Sequence, residues 1–165
     1  MMDMLVDIAF DKMNVDSFIK LIRFLCKNGK LYDYYFNFIE GKEFDVKIFE
    51  FEKLKNAISN CYETPVGIRF YFLKFGDMEI PNCSIMTENY GGVLTLTISF
   101  EPKDICNAID LPLVNKLMRN VGLVASKLGI KEYYCGTEDA ADEENRFFTN
   151  NQLGEYTKKY IKNEN

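Results

Sequence analysis

Three strand-like stretches follow one another in close order: Val66–Phe75, residues 80–87 and Val93–Phe100. Only Gly76-Asp77 and Asn89-Tyr90-Gly91-Gly92 stand between them as turn material. Parallel neighbours need a crossover of roughly a dozen residues or more, so connections this short force an antiparallel meander. Val93–Phe100 alternates cleanly, with Leu94, Leu96, Ile98 and Phe100 on one side and Thr95, Thr97 and Ser99 on the other. Val66–Phe75 is strongly apolar and reads as central. Residues 80–87 are weaker, and Pro81 suits an edge or a strand beginning.

The remaining elements are arranged around this run. Met4, Val6, Ile8 and Phe10 share one parity and Asp7 and Asp11 the other, which is the pattern of a half-buried strand. With Asp3 and Asp7 and no basic stretch, residues 1–10 read as that strand rather than as a secretory leader. Asn14 or Asp16 can cap a helix carrying Val15, Phe18, Ile19, Ile22, Leu25 and Cys26, which Gly29 closes. Residues 31–39 are rich in aromatics and favour a strand whose rings pack in the core, and residues 40–43 read as a turn. Residues 46–51 form either a short strand or the lead-in to a helix carrying Leu54, Ala57, Ile58, Cys61 and Tyr62, which Thr64-Pro65 stops. Asp110 and Pro112 open the best amphipathic helix, and Gly129 closes it. One more strand spans 131–135, a polar loop 136–151, and a last helical turn or two carries Leu153, Tyr156 and Tyr160. The order β-α-β-α-β-β-β-α-β-α makes this an α+β chain: one domain over residues 1–165, a mostly antiparallel sheet with helices packed on one face.

Composition narrows the chemistry. The chain has 165 residues and no His, which removes Ser-His-Asp and Cys-His catalysis and His-ligated zinc. Its five cysteines are scattered without any C-x-x-C, as expected for free thiols in a reducing cytoplasm. The net charge of −5 argues against a nucleic-acid partner, and so does the scarcity of Arg, which stands only at positions 23, 69, 119 and 146. No apolar run is long enough to span a membrane.

Much of the acid is concentrated in residues 138–144, where Glu138, Asp139, Asp142, Glu143 and Glu144 follow a strand end. Such a segment is a solvated loop or a docking patch for a basic protein, and it lacks the alternating spacing of a calcium loop. Arg146, Phe147 and Phe148 follow at once. Two aromatics in a polar loop either pin it to the core or anchor an interface, and the set of eight is the candidate partner-binding site. Asp7 and Asp11 are a candidate carboxylate pair, read as solvated. Residues 119–125 approach the R/Q-x-x-G-x-G/A element of acetyltransferases, but Val124 blocks a close phosphate approach and the segment falls inside a helix. No cofactor or metal ligand set is expected.

The run Tyr134-Cys135-Gly136-Thr137-Glu138-Asp139-Ala140, followed by Arg146-Phe147-Phe148, resembles bacterial immunity proteins that neutralise polymorphic or contact-dependent toxins. Several of these end a strand in a Gly-x-Glu-x-Ala turn. The resemblance implies a non-enzymatic cytoplasmic inhibitor that binds a basic toxin through an acidic surface. The alternatives are an acyl-CoA-dependent N-acetyltransferase-like enzyme and a structural or regulatory homo-oligomer.

Overall fold

The computed structural model describes residues 4–36, 39–42, 51–60 and 66–161. The strands are β1 (Val6–Met13), β2 (Gly29–Phe36), β3 (Ile39–Lys42), β4 (Val66–Phe75), β5 (Met78–Tyr90), β6 (Val93–Phe100), β7 (Glu132–Thr137), β8 (Arg146–Thr149) and β9 (Gln152–Leu153). The helices are α1 (Val15–Lys27), α2 (Phe51–Asn60), α3 (Leu111–Leu128) and α4 (Glu155–Tyr160). Among the described residues all nine strands join one sheet in the order β3-β2-β4-β5-β6-β1-β7-β8-β9. Every pairing is antiparallel. The fold is α+β, and the meander is β4-β5-β6.

Strand register builds the core. Following partners across the sheet gives the row Tyr34, Ile68, Ile85, Ile98, Ile8, Cys135 and Phe148. All seven are buried. α1 lays Phe18, Leu21, Ile22 and Leu25 on this face, α2 adds Leu54 and Ile58, and α3 adds Val114, Leu117, Val121 and Val124. Each large apolar side chain so buried contributes about 1.5–3 kcal/mol. At the far end α4 packs on β8, with Tyr156 edge-on to Phe147 and the Thr157 hydroxyl donating to the Phe147 carbonyl at 2.9 Å.

The helix ends follow local chemistry. The Asn14 side chain accepts from the Ser17 amide at 2.8 Å, and that of Asp110 from the Leu113 amide at 2.9 Å. Gly129 takes a left-handed φ of 70° and stops α3. Gly29 stands just past the end of α1, as its position suggests, and has a second role. Asn28 caps α1, and Gly29 opens β2, where a Cβ would stand 2.6 Å from Leu73 Cδ2 and 2.8 Å from the Phe72 carbonyl.

Four expectations change. Residues 40–42, read as a turn, belong to β3. Residues 80–87 are interior, not edge: β5 lies between β4 and β6, and Pro81 is tolerated beside an irregularity at Asn82, whose φ is 49°. Tyr32, expected in the core, is 43% exposed and meets Tyr71 at 5.0 Å. The polar stretch 136–151 is not all loop, because it contains β8. The expected lead-in at 46–50 and the Thr64-Pro65 stop lie outside the described residues.

Candidate functional site

Because α1, α2 and α3 occupy the apolar face, the opposite face of β5, β6, β1 and β7 carries the polar chemistry. One row across it is Asp33, Arg69, Ser84, Ser99, Asp7, Gly136 and Arg146. Next to it runs Gly67, Met86, Thr97, Ala9, Tyr134 and Thr149. Asp7 and Asp11 lie on this face, as their parity requires, and each carboxylate is held by a hydroxyl from β6. Ser99 Oγ donates to Asp7 and Thr95 Oγ1 to Asp11, both at 2.6 Å. At the β2–β4 end the Arg69 guanidinium grips the Asp33 carboxylate and stacks 4.7 Å over Tyr32.

The loop after β7 stands at the rim of this face. Glu138 donates its amide to the Leu5 carbonyl at 2.9 Å, which ties the loop to the start of β1. Asp139 adopts φ of 69°, a left-handed turn that Asp tolerates better than most residues, and its carbonyl accepts from the Asp142 amide at 2.9 Å. Glu138, Asp139, Asp142, Glu143 and Glu144 are all exposed, while Ala140 between them is buried.

Arg146 is the clasp of this loop. Its Nε donates to the Ala140 carbonyl and one terminal nitrogen to the Ala141 carbonyl, each at 2.9 Å. The other terminal nitrogen reaches Thr149 Oγ1 at 3.3 Å, and the guanidinium lies 4.0 Å over the Tyr134 ring. Phe147 and Phe148 have no exposed surface. Of the two roles open to them, the structure supplies the pin: both belong to the core, and they offer a partner nothing to touch in this conformation. Of the eight candidate residues, the five acids therefore face outward, and Arg146, Phe147 and Phe148 hold them in place.

The groups on this face shift one another's titration. Burial raises the Asp7 carboxyl above its ordinary value, the Ser99 hydrogen bond lowers it, and the neighbouring Glu138 and Asp139 raise it again. Burial also raises the Tyr134 phenol, helped by Asp11, Glu88 and Asp7 and opposed by Arg146. A carboxyl that folding makes less acidic favours the fold fully below its unfolded pKa and loses that contribution as pH rises through its folded value. Asp7→Asn is therefore expected to raise the melting temperature at pH 7. The gain should vanish below about pH 4, where Asp7 is protonated in either state. Paired melts at the two pH values check this, and equal gains at both would sink it.

Two other candidates resolve into structure. The 119–125 segment lies within α3, as its amphipathic pattern required. Arg119 pairs with Asp77 at 2.9 Å, and a Cβ on Gly122 would stand 2.9 Å from Tyr133 Oη, so Gly122 is a close-packing position. The described cysteines are all free. Burial pushes the Cys26 and Cys83 thiols up to about 12 and also raises those of Cys135 and Cys106, so none of these is a ready nucleophile. Among the described residues no three His, Cys, Asp or Glu side chains are gathered as a metal site requires, and no helix is long and apolar enough to cross a membrane.

The sequence reading missed a polar cluster at the β4–β5 turn. Asn120, only 2% exposed, donates to Asp77 Oδ1 at 2.6 Å and accepts from the Asp77 amide at 3.2 Å. The Asn120 hydrogen bond, with the positive charges of Arg119 and nearby Lys116, holds the Asp77 carboxyl below its usual range. The one available signal was an Asn on the apolar stripe of a helix.

Comparison with known proteins bears on the whole chain. A family model described as PABL017 Cdi1I immunity protein matches residues 5–153. No curated protein matches. A chain of the crystal structure of the toxic C-terminal tip of CdiA from Pseudomonas aeruginosa in complex with immune protein is similar over 93% of this chain and 98% of its own, at a TM-score of 0.74 and 21% identity. At that identity the shared property is the fold. The family match spans β1 to β9 and includes the loop that carries the acids, and by it the chain belongs to the Cdi1I immunity protein family.

Proposed function

We propose that this chain, acting as one domain in the cytoplasm, neutralises a toxin by binding it through an acidic surface. The toxin would be the C-terminal tip of a CdiA protein, the kind of partner named for the similar crystal structure. The observation that carries the reading is the family match over residues 5–153. The geometry supports binding over turnover: the carboxylates are presented on a stiff sheet and a clasped loop, while the described thiols are protonated. Free cysteines fit a reducing compartment.

The five acids at 138–144 would speed encounter with a basic partner. Charged groups at a rim act mainly on the association rate, because attraction operates before contact. The first test is growth. A bacterium expressing the C-terminal tip of the CdiA protein from this chain's own source cell is expected to stop dividing, and co-expression of the chain to restore division. The second is kinetic. The association rate should fall about tenfold or more between low and physiological salt, and replacing the five acids by Ala should flatten that dependence. A rate indifferent to ionic strength would remove the acidic surface from the reading; failure to restore growth would remove the toxin.

A further inference from the structure

Among the described residues, the face opposite the helices carries exposed apolar side chains toward the β5–β6 turn that the acidic loop does not account for. Met86, Tyr90 and Val93 are exposed at 58%, 73% and 47%. Tyr90 pairs with Val93 beside the Gly91-Gly92 turn, and Met86 lies four residues back along β5, paired with Thr97, itself the partner of Ala9. Alternation along β5 and β6 points all three away from the helices, to the side that carries Asp7 and Asp11. Glu88 stands between Met86 and Tyr90 on the same strand face, and Thr95, beside it on β6, holds the Asp11 carboxylate. Exposed Leu123 and Tyr160 lie on α3 and α4, outside this face.

We propose that the Met86–Tyr90–Val93 patch with Glu88 and Asp11 is the docking surface for the toxin, and that the toxin meets it with an apolar contact ringed by Lys or Arg. The inference rests on the toxin-binding reading and adds the surface. Charge decides the occupant. A second copy of this chain would bring the same carboxylates against Glu88 and Asp11, and a nucleic acid would bring phosphates, so both are repelled where a basic protein is drawn in. Exposed Tyr and Met side chains beside carboxylates are the composition by which protein interfaces concentrate their energy in a few residues.

The experiment uses the full chain and the same CdiA tip. Tyr90→Ala and Met86→Ala are surface changes that leave the core intact, and Leu123→Ala, exposed on α3, is the control. Tyr90→Ala is expected to weaken binding about tenfold or more, and Leu123→Ala to leave it unchanged. A second readout needs no variant. Met86 is 58% exposed, so peroxide oxidises it readily, and the bound tip should slow that oxidation, read at the Met86 peptide, several-fold. If the tip binds the wild-type chain while Tyr90→Ala and Met86→Ala bind equally well and Met86 oxidises at its free rate, the surface is wrong and the toxin-binding reading stands. If the tip neither binds nor is neutralised, both fall together.

Discussion

Replacing Phe148 by Ala is expected to cost about 3–5 kcal/mol, the range for emptying a fully buried aromatic site. Phe148 closes the apolar row that crosses the sheet from Tyr34, pairing with Cys135 on β7 and Leu153 on β9. It has no exposed surface, and its neighbour Phe147 is held by Tyr156. β8 has four residues and leans on β7, a two-residue β9 and α4, so little remains to hold it once the ring is gone. The loss should therefore appear as local release of the acidic loop before the sheet melts. Hydrogen exchange at residues 138–149 should speed up relative to β4–β6, and the urea midpoint should fall with the slope little changed. Phe148→Leu keeps most of the volume and should lose much less. A Phe148→Ala chain within about 1 kcal/mol of wild type would mean that the β8 end collapses around the gap.

Gly136→Ala should cost about 3 kcal/mol and should impair binding in the molecules that still fold. A Cβ at position 136 would stand 2.2 Å from the Asn145 carbonyl oxygen, 2.9 Å from Arg146 Cα and 3.0 Å from Ala140 Cβ. Two of the three are backbone atoms, so no side-chain rotation can make room. Relief has to come from lifting the loop off β7, which breaks the clasp of Arg146 on the Ala140 and Ala141 carbonyls. Gly67→Ala is the control: it lies on the same open face with nothing within 4 Å of its Cβ, and should be neutral or slightly stabilising. Urea denaturation of both variants, with toxin association rates at equal folded fraction, separates the structural cost from the functional one. Gly136→Ala with wild-type stability would contradict the packing described for the loop.

These two positions show where the sequence was legible. Gly136 stood out as part of a turn-like run, but its necessity is a distance to Asn145 and Arg146, and no spacing encodes a distance. Phe147 and Phe148 were recognisably misplaced in a polar stretch, and a core pin was one of two readings. A four-residue strand shows too little alternation to choose between them. β3 fails in the same way, because Glu40, Gly41 and Lys42 have turn chemistry and become a strand only by pairing with Asp33, Tyr34 and Tyr35 of β2. Tyr32 reads as a core aromatic by type, and an irregularity between Leu31 and Asp33 turns it outward.

The sequence by itself determined what is local. Short turns made β4-β5-β6 an antiparallel meander, Asn14 and Asp110 began their helices, and strict alternation put Asp7 and Asp11 on the side away from Ile8 and Phe10. The tertiary structure decided which strands stand side by side. Inserting β1 between β6 and β7 sets Asp7 beside Ser99 and near Glu138, and Asp11 beside Thr95 and across from Glu132. It also brings the acidic loop and the exposed Met86, Tyr90 and Val93 to one face. The physical reason is that alternation is a property of each residue and its chain neighbours, whereas strand order depends on burying all the apolar faces at once, and only that order turns scattered carboxylates into a surface.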